Sequence, residues 1–178
     1  MKQPIYQRDA IVYGLTGGLI YIITHIGAWL IGTSFFITVS GAEKLIPYVI
    51  ALLIFGGIQL KNKNGGYLPY ADALKFAFLA YIIVAIIEAV SNYVLYNVLD
   101  KNLTATVLQA TREKSVQMMQ RLGSSKEQID EALKNVDSGK KETNFKTILL
   151  GLGVTIIWNF GKSAIIALII RKEKTVTE

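Results

Sequence analysis

The chain has no cysteine and a single histidine among its 178 residues. Disulfide scaffolds, thiolate metal sites and cysteine nucleophiles are therefore excluded, and a histidine-rich metal site has almost nothing to draw on. Charge is also scarce: Asp, Glu, Lys and Arg make up 18% of the residues, against about 25% in a soluble domain. The sequence contains no H-E-x-x-H metal helix, no phosphate-cradling G-x-x-x-x-G-K and no G-x-S-x-G nucleophile turn. No enzyme class is indicated, and no catalytic residue, metal or cofactor is expected. What the chain has in abundance is apolar surface, with 52% hydrophobic residues and a mean hydropathy of +0.39. That is the composition of a membrane protein of one domain. The net charge of +6 comes largely from Lys and Arg beside apolar runs. There, anionic lipid headgroups account for it and a nucleic-acid partner does not.

A bilayer core of about 30 Å needs roughly 20 helical residues. Four runs approach that length, at about 11–36, 45–60, 73–96 and 147–170. The second is short and is expected to borrow 42–44 as an interfacial turn, with Pro47 in its first helical turn. The first run, at about 26 residues, exceeds the h-region of a secretory signal and is expected to stay as a span. The fold expected is thus an all-α integral membrane protein of four transmembrane helices, in one domain over 1–178.

Four spans place both termini on one side. Lys2, Arg8, Lys61, Lys63, Arg171, Lys172 and Lys174 then share a face, which the positive-inside rule makes cytoplasmic in a bacterial inner membrane. Segment 97–146 falls on the opposite, periplasmic side, with nine basic and seven acidic residues. Within it, Leu103, Val107, Leu108, Met118, Met119 and Leu122 recur at helical intervals. Gly123 then suits a helix C-cap, Ser124 and Glu127 suit a capping box, and Ile129, Ala132, Leu133 and Val136 continue the period. The insert at 102–137 therefore reads as an extramembrane helical hairpin. Its apolar stripe either packs on itself or the bilayer surface, or forms a docking face for a protein partner through Met118, Met119, Leu122, Ile129 and Leu133.

Polar residues inside apolar runs are expensive, about 2.5 to 3.5 kcal/mol for a charge on insertion scales. Glu88 lies about 23 Å from the cytoplasmic edge of its span and Lys162 about 12 Å from the same edge. Their side chains lean toward each other in antiparallel helices, so an ion pair is feasible. His25, Asn92 and Asn159 fall in the same depth zone. Helical spacing puts Tyr81, Ala85, Glu88, Asn92 and Tyr96 on one face, Gly151, Thr155, Asn159 and Lys162 on a second, and Gly18, Tyr21, His25, Ala28 and Gly32 on a third. These are the expected inward faces. The polar group either holds the bundle together or forms a proton or ion pathway. Gly14 with Gly18, and Gly161 with Ala164, support close helix packing, and the Gly14–Gly18 pair is expected to be a contact within the chain before a dimer seam. Tyr13, Tyr67, Tyr70, Tyr93 and Tyr96 suit an interfacial belt, and Trp29 and Trp158 are expected inside.

The most distinctive local sequence is the turn at 61–75. Asn64-Gly65-Gly66 supplies positive-φ residues, Pro69 opens the next helix, and Asp72 complements its positive end. With Asp72-Ala73-Leu74-Lys75, the run Asn92-Tyr93-Val94-Leu95-Tyr96-Asn97 followed by Asp100, and the Met- and Glu-rich insert ending in Gln128-Ile129-Asp130-Glu131-Ala132, most of the chain resembles a family of four-span inner-membrane proteins of unknown function, known mainly from Bacteroidetes. The resemblance implies a fold and no reaction. The function expected is a non-catalytic accessory or assembly subunit of a larger envelope complex, docking through its insert onto a protein partner or a second copy. The alternative is a small oligomeric transporter or ion pathway.

Overall fold

A computed structural model describes residues 5–45, 47–138 and 145–174. These form seven α-helices: α1 (Ile5–Ile31), α2 (Thr33–Leu45), α3 (Tyr48–Lys63), α4 (Tyr70–Val94), α5 (Leu103–Arg121), α6 (Lys126–Ser138) and α7 (Phe145–Ile170). A π-helical turn over Leu95–Leu99 extends α4. Three helices are long and apolar enough to cross a membrane: Ile5–Ile31 with 27 residues, Tyr70–Leu99 with 30 and Phe145–Ile170 with 26. Helix α3 has 16 residues, about 24 Å of rise, and falls short of that length.

The α3–α4 turn forms as its residues dictate. Gly65 and Gly66 take φ of +68° and +85°, which only glycine adopts without strain, and Gly66 N–H donates to Lys61 O at 2.9 Å. Pro69 occupies the N-cap of α4 with Asp72 in the first helical turn. Because Pro69 supplies no capping side chain, an orphan donor is met from the other end of the chain: Tyr70 N–H donates to Glu173 Oε1 at 3.0 Å. Leu68 and Lys172 pair as an isolated antiparallel bridge, at 2.9 and 2.8 Å. Lys63 pairs with Asp9 at 2.8 Å. The start of α1, the α3–α4 turn and the end of α7 therefore meet at one end of the bundle, as the basic flanks predict.

Above that end lies the main core, in which Leu53, Leu60, Leu68, Phe76, Ala77, Ala80, Ile166 and Ile170 are buried together. Small residues permit the close approach. A Cβ on Gly14 would stand 2.8 Å from Ile83 Cβ, and one on Gly18 2.9 Å from Ile87 Cβ, so these two positions of α1 seat the β-branched side chains of α4. The intrachain contact expected for them is present. A Cβ on Gly161 would meet nothing within 4 Å among the described residues. Tyr13 lies against Gly56 and edge-on to Phe76 at 6.1 Å, which makes it a core packing residue where an interfacial one was expected. Trp158 is 70% exposed on α7, contrary to the interior site expected. Apart from the face bearing Thr155, Asn159 and Lys162, helix α7 is apolar around its circumference, so the pattern does not separate a core-facing tryptophan from an outward one. Trp29 is half-buried against a second apolar cluster containing Ala28, Phe36, Leu95 and Leu103, and its Nε1 donates to Asp100 Oδ2 at 3.2 Å.

The first apolar run does not continue through 36. Gly32, with φ of +138°, ends α1 and starts α2 without loss of backbone hydrogen bonding. Its N–H donates to Ala28 O at 3.2 Å and its C=O accepts from Phe36 N–H at 2.9 Å. Helix α2 then carries Phe36 edge-on to His25 at 5.5 Å, and residues 42–44 belong to α2 where an interfacial turn was expected. Pro47 is the N-cap of α3.

The insert folds as two helices, and its first half packs on α2. Lys114 Nζ donates to Thr38 Oγ1 at 3.2 Å and Leu103 is buried in the second apolar cluster. Between α5 and α6, Ser124 N–H donates to Met119 O at 3.0 Å and Gly123 N–H to Gln120 O at 3.1 Å. With Gly123 at φ +76°, this is a Schellman cap. Ser124 is consumed by that cap, so the capping box lies one residue beyond the expected place. Ser125 N–H donates to Gln128 Oε1 at 2.9 Å and Gln128 N–H to Ser125 Oγ at 3.3 Å. Val136, expected on the α6 stripe, has a side chain outside the described residues.

Candidate functional site

All five polar residues singled out inside the apolar runs line one cavity of about 760 Å³. Helix α1 contributes Tyr21 and His25; α4 contributes Tyr81, Ala85, Glu88, Asn92 and Tyr96; α7 contributes Gly151, Thr155, Asn159 and Lys162. Residues of the three faces expected from helical spacing thus border one space, with Asn159 buried and with Gly151 and Lys162 exposed on α7. Ser40 from α2 and Tyr48 from α3 complete the wall. No sequence signal marked these two, because Ser40 comes near the site only when α2 folds back at Gly32.

The wall is tied together by short polar contacts. Tyr21 Oη donates to Asn92 Oδ1 at 3.0 Å, joining α1 to α4. His25 is 6% exposed and stacks on Tyr21 with ring centroids 4.0 Å apart. On α7, Ser163 Oγ donates to Asn159 O at 2.6 Å. Lys162 Nζ donates to Asn159 Oδ1 at 3.4 Å and stands 5.8 Å over the Tyr81 ring. Lys162 therefore reaches an amide and a ring from an exposed position on α7. Tyr81 Oη and Ser40 Oγ are buried with no hydrogen-bond partner.

Toward the terminus end, Tyr81 belongs to the apolar core with Phe76, Ala77, Ala80, Ile166 and Ala167, which borders the cavity there as a floor. Toward the hairpin end the wall runs up through Tyr48, Tyr96 and Ile148. The buried residues of α7 are Asn159, Ser163, Ile166, Ala167 and Ile170, all in its second half, so its first half leaves the bundle open. Such a site can take a polar or amphipathic molecule.

Of the residues expected to form a docking face on the insert, Met118 and Leu122 are 64% and 77% exposed, Met119 and Leu133 are half-buried, and Ile129 is buried. Among the described residues no three His, Asp or Glu side chains are grouped closely enough to hold a metal ion.

A family model described as a protein of unknown function (DUF4199) matches residues 12–172, and the chain belongs to that family. No curated protein and no solved structure matches it.

Proposed function

We propose that this DUF4199 member is a four-span membrane protein that receives a small polar or amphipathic molecule in the cavity between α1, α4 and α7, entering from the hairpin side. The observation that carries this reading is the convergence of His25, Glu88, Asn92, Asn159 and Lys162, from three helices, on one lined space. Polar groups kept only to hold helices together need no room between them, and here they border an open space. The packed floor argues for binding, or for one state of an alternating carrier, over an open ion pathway. Helix α3 is the fourth span in this reading. It lies between α1 and α7, with Gly56 under Tyr13 and Gly57 under Ile170, and Lys61 and Lys63 at its end can extend toward headgroups. The basic end bearing Arg8, Lys61, Lys63, Arg171 and Lys172 faces the cytoplasm, and the hairpin faces the periplasm of a bacterial inner membrane.

The absence of native cysteine makes the test clean. A chain carrying Thr155→Cys should react with a membrane-impermeant maleimide. Adding Ala89→Trp, which fills the cavity, should slow that reaction at least about tenfold. Equal rates with and without the tryptophan would refute a cavity at this place.

A second reading, a non-catalytic accessory subunit docking through the hairpin, is favoured by the exposure of Met118 and Leu122. Met118→Glu with Leu122→Glu should release a co-purifying partner while the protein remains inserted; an unchanged particle would remove this reading.

A further inference from the structure

We infer that Tyr67, Lys172 and Lys174 form a seat for the headgroup of one anionic phospholipid at the terminus end of the bundle. The inference is independent of the cavity and needs only that the ends of α4 and α7 lie at a membrane surface. Both ammoniums stand over the same ring, Lys172 Nζ at 5.7 Å and Lys174 Nζ at 5.6 Å from the Tyr67 centroid. The backbone beneath them is fixed. Lys172 is bridged to Leu68 by two hydrogen bonds, at 2.9 and 2.8 Å, and Leu68 is fully buried in the main core. The residue that carries the ring is held as well, since Asn64 Nδ2 donates to Tyr67 O at 2.9 Å across the glycine turn. The bridge lies just past the end of α7 and just before the start of α4. The seat is therefore where two of the three long apolar helices leave the hydrocarbon and lipid phosphates begin.

Among the described residues neither ammonium is paired with a carboxylate, because the carboxylates of this end are engaged elsewhere. Asp9 pairs with Lys63 at 2.8 Å, Glu173 Oε1 accepts from Tyr70 N–H at 3.0 Å, and Asp72 lies in the first turn of α4, where the positive helix end meets its charge. Arg8, Lys61 and Arg171 belong to the same end and raise its positive field. Two uncompensated ammoniums at the level of the lipid phosphates match a phosphodiester, whose non-bridging oxygens accept from both. The Tyr67 ring confines two side chains that would otherwise spread through solvent, so less rotamer freedom is lost when the headgroup arrives. A lone flanking lysine attracts lipid charge without choosing a molecule, whereas two on one ring, one of them on a bridged backbone, define a single place. A zwitterionic headgroup carries its own cation beside the phosphate, which offsets the attraction and makes the seat selective for lipids of net negative charge.

The test titrates the full chain in detergent with phosphatidylglycerol or phosphatidylcholine and counts the retained lipid by native mass spectrometry. One phosphatidylglycerol per chain should be held at least about fivefold more tightly than phosphatidylcholine. Lys172→Gln with Lys174→Gln should bring that preference within about twofold, and Tyr67→Leu should weaken it about threefold. Lys172→Arg with Lys174→Arg, which keeps both charges, should retain the parent's preference. So should Lys101→Gln with Lys126→Gln, which removes the same charge from exposed positions at the hairpin end. In the parent, raising ammonium acetate from about 0.05 to about 0.5 M should also abolish the preference by screening, an effect no folding defect imitates. Equal retention of the two lipids by the parent, a preference that survives high salt or the Lys172→Gln, Lys174→Gln pair, or an equal loss in the hairpin pair would overturn the seat. Displacement of phosphatidylglycerol by inorganic phosphate at the same concentration would assign the site to a soluble phosphate and overturn the lipid as its occupant.

Discussion

Gly18 and Gly161 both interrupt apolar helical runs, yet their surroundings differ sharply. A methyl group at Gly18 would press on Ile87, while one at Gly161 would meet open space. Gly18→Ala should therefore destabilise the folded protein by about 1–3 kcal/mol, the usual cost of overpacking, and Gly161→Ala should leave stability within about 0.5 kcal/mol. Thermal unfolding of the two variants in one detergent checks this, and equal midpoints would contradict the α1–α4 packing. Residue-scale features of this kind were partly legible in the sequence. The Gly14–Gly18 pair and the five polar side chains of the cavity stand out because each breaks an apolar run, and a costly residue in a span needs a reason. Trp158 was not legible. In a helix that is apolar over most of its circumference, side-chain type does not distinguish a face turned to the core from a face turned to lipid.

At the scale of elements, Gly32 decides the shape of the cavity. A run of apolar residues through 36 reads as one span, and nothing in its hydropathy announces that one glycine takes φ of +138°. Once it does, α2 folds against α1 and brings Phe36 to His25 and Ser40 to the cavity wall. Gly32→Val should cost about 1–3 kcal/mol, because a β-branched residue is strained in that region. Gly27→Ala, within α1 and facing open space, should be neutral or slightly stabilising through helix propensity. A Gly32→Val variant as stable as the parent would show that α1 runs on as a continuous helix. The hairpin shows the same limit on a smaller scale. Its helices and its glycine turn follow from periodicity, but the Schellman cap takes Ser124 and shifts the capping box to Ser125 and Gln128. Ser125→Ala should accordingly lower hairpin helicity by about 1 kcal/mol in hydrogen exchange, and Ser124→Ala should not.

At the scale of the whole molecule, the chain divides into a closed half and an open half. The closed half, at the terminus end, is an apolar core stitched by the Leu68–Lys172 bridge and the Asp9–Lys63 pair. The open half carries the polar wall. Helical periodicity anticipated which residues border one space, because it fixes residues three and four apart on one side. It could not anticipate the gap between the faces, because a cavity depends on helix lengths and tilts that short-range pattern does not encode. The crossing of α3 is a whole-molecule property too. Reporter domains placed at Gly41, between α1 and α3, and at Gly65, after α3, should report opposite sides of the membrane, the second cytoplasmic; the same side for both would leave three spans.

The measurement that bears most directly on the proposed cavity is maleimide labelling of Thr155→Cys and, separately, Ala77→Cys, with the impermeant reagent applied to each face of sealed vesicles in turn. Thr155 lines the cavity and Ala77 is fully buried in the core cluster that holds Tyr81. A cavity closed at the terminus end predicts labelling at Thr155 from the hairpin face alone and none at Ala77 from either face. Labelling of Thr155 from the terminus face, or of Ala77 from any, would mean that the floor is open and the cavity is a passage.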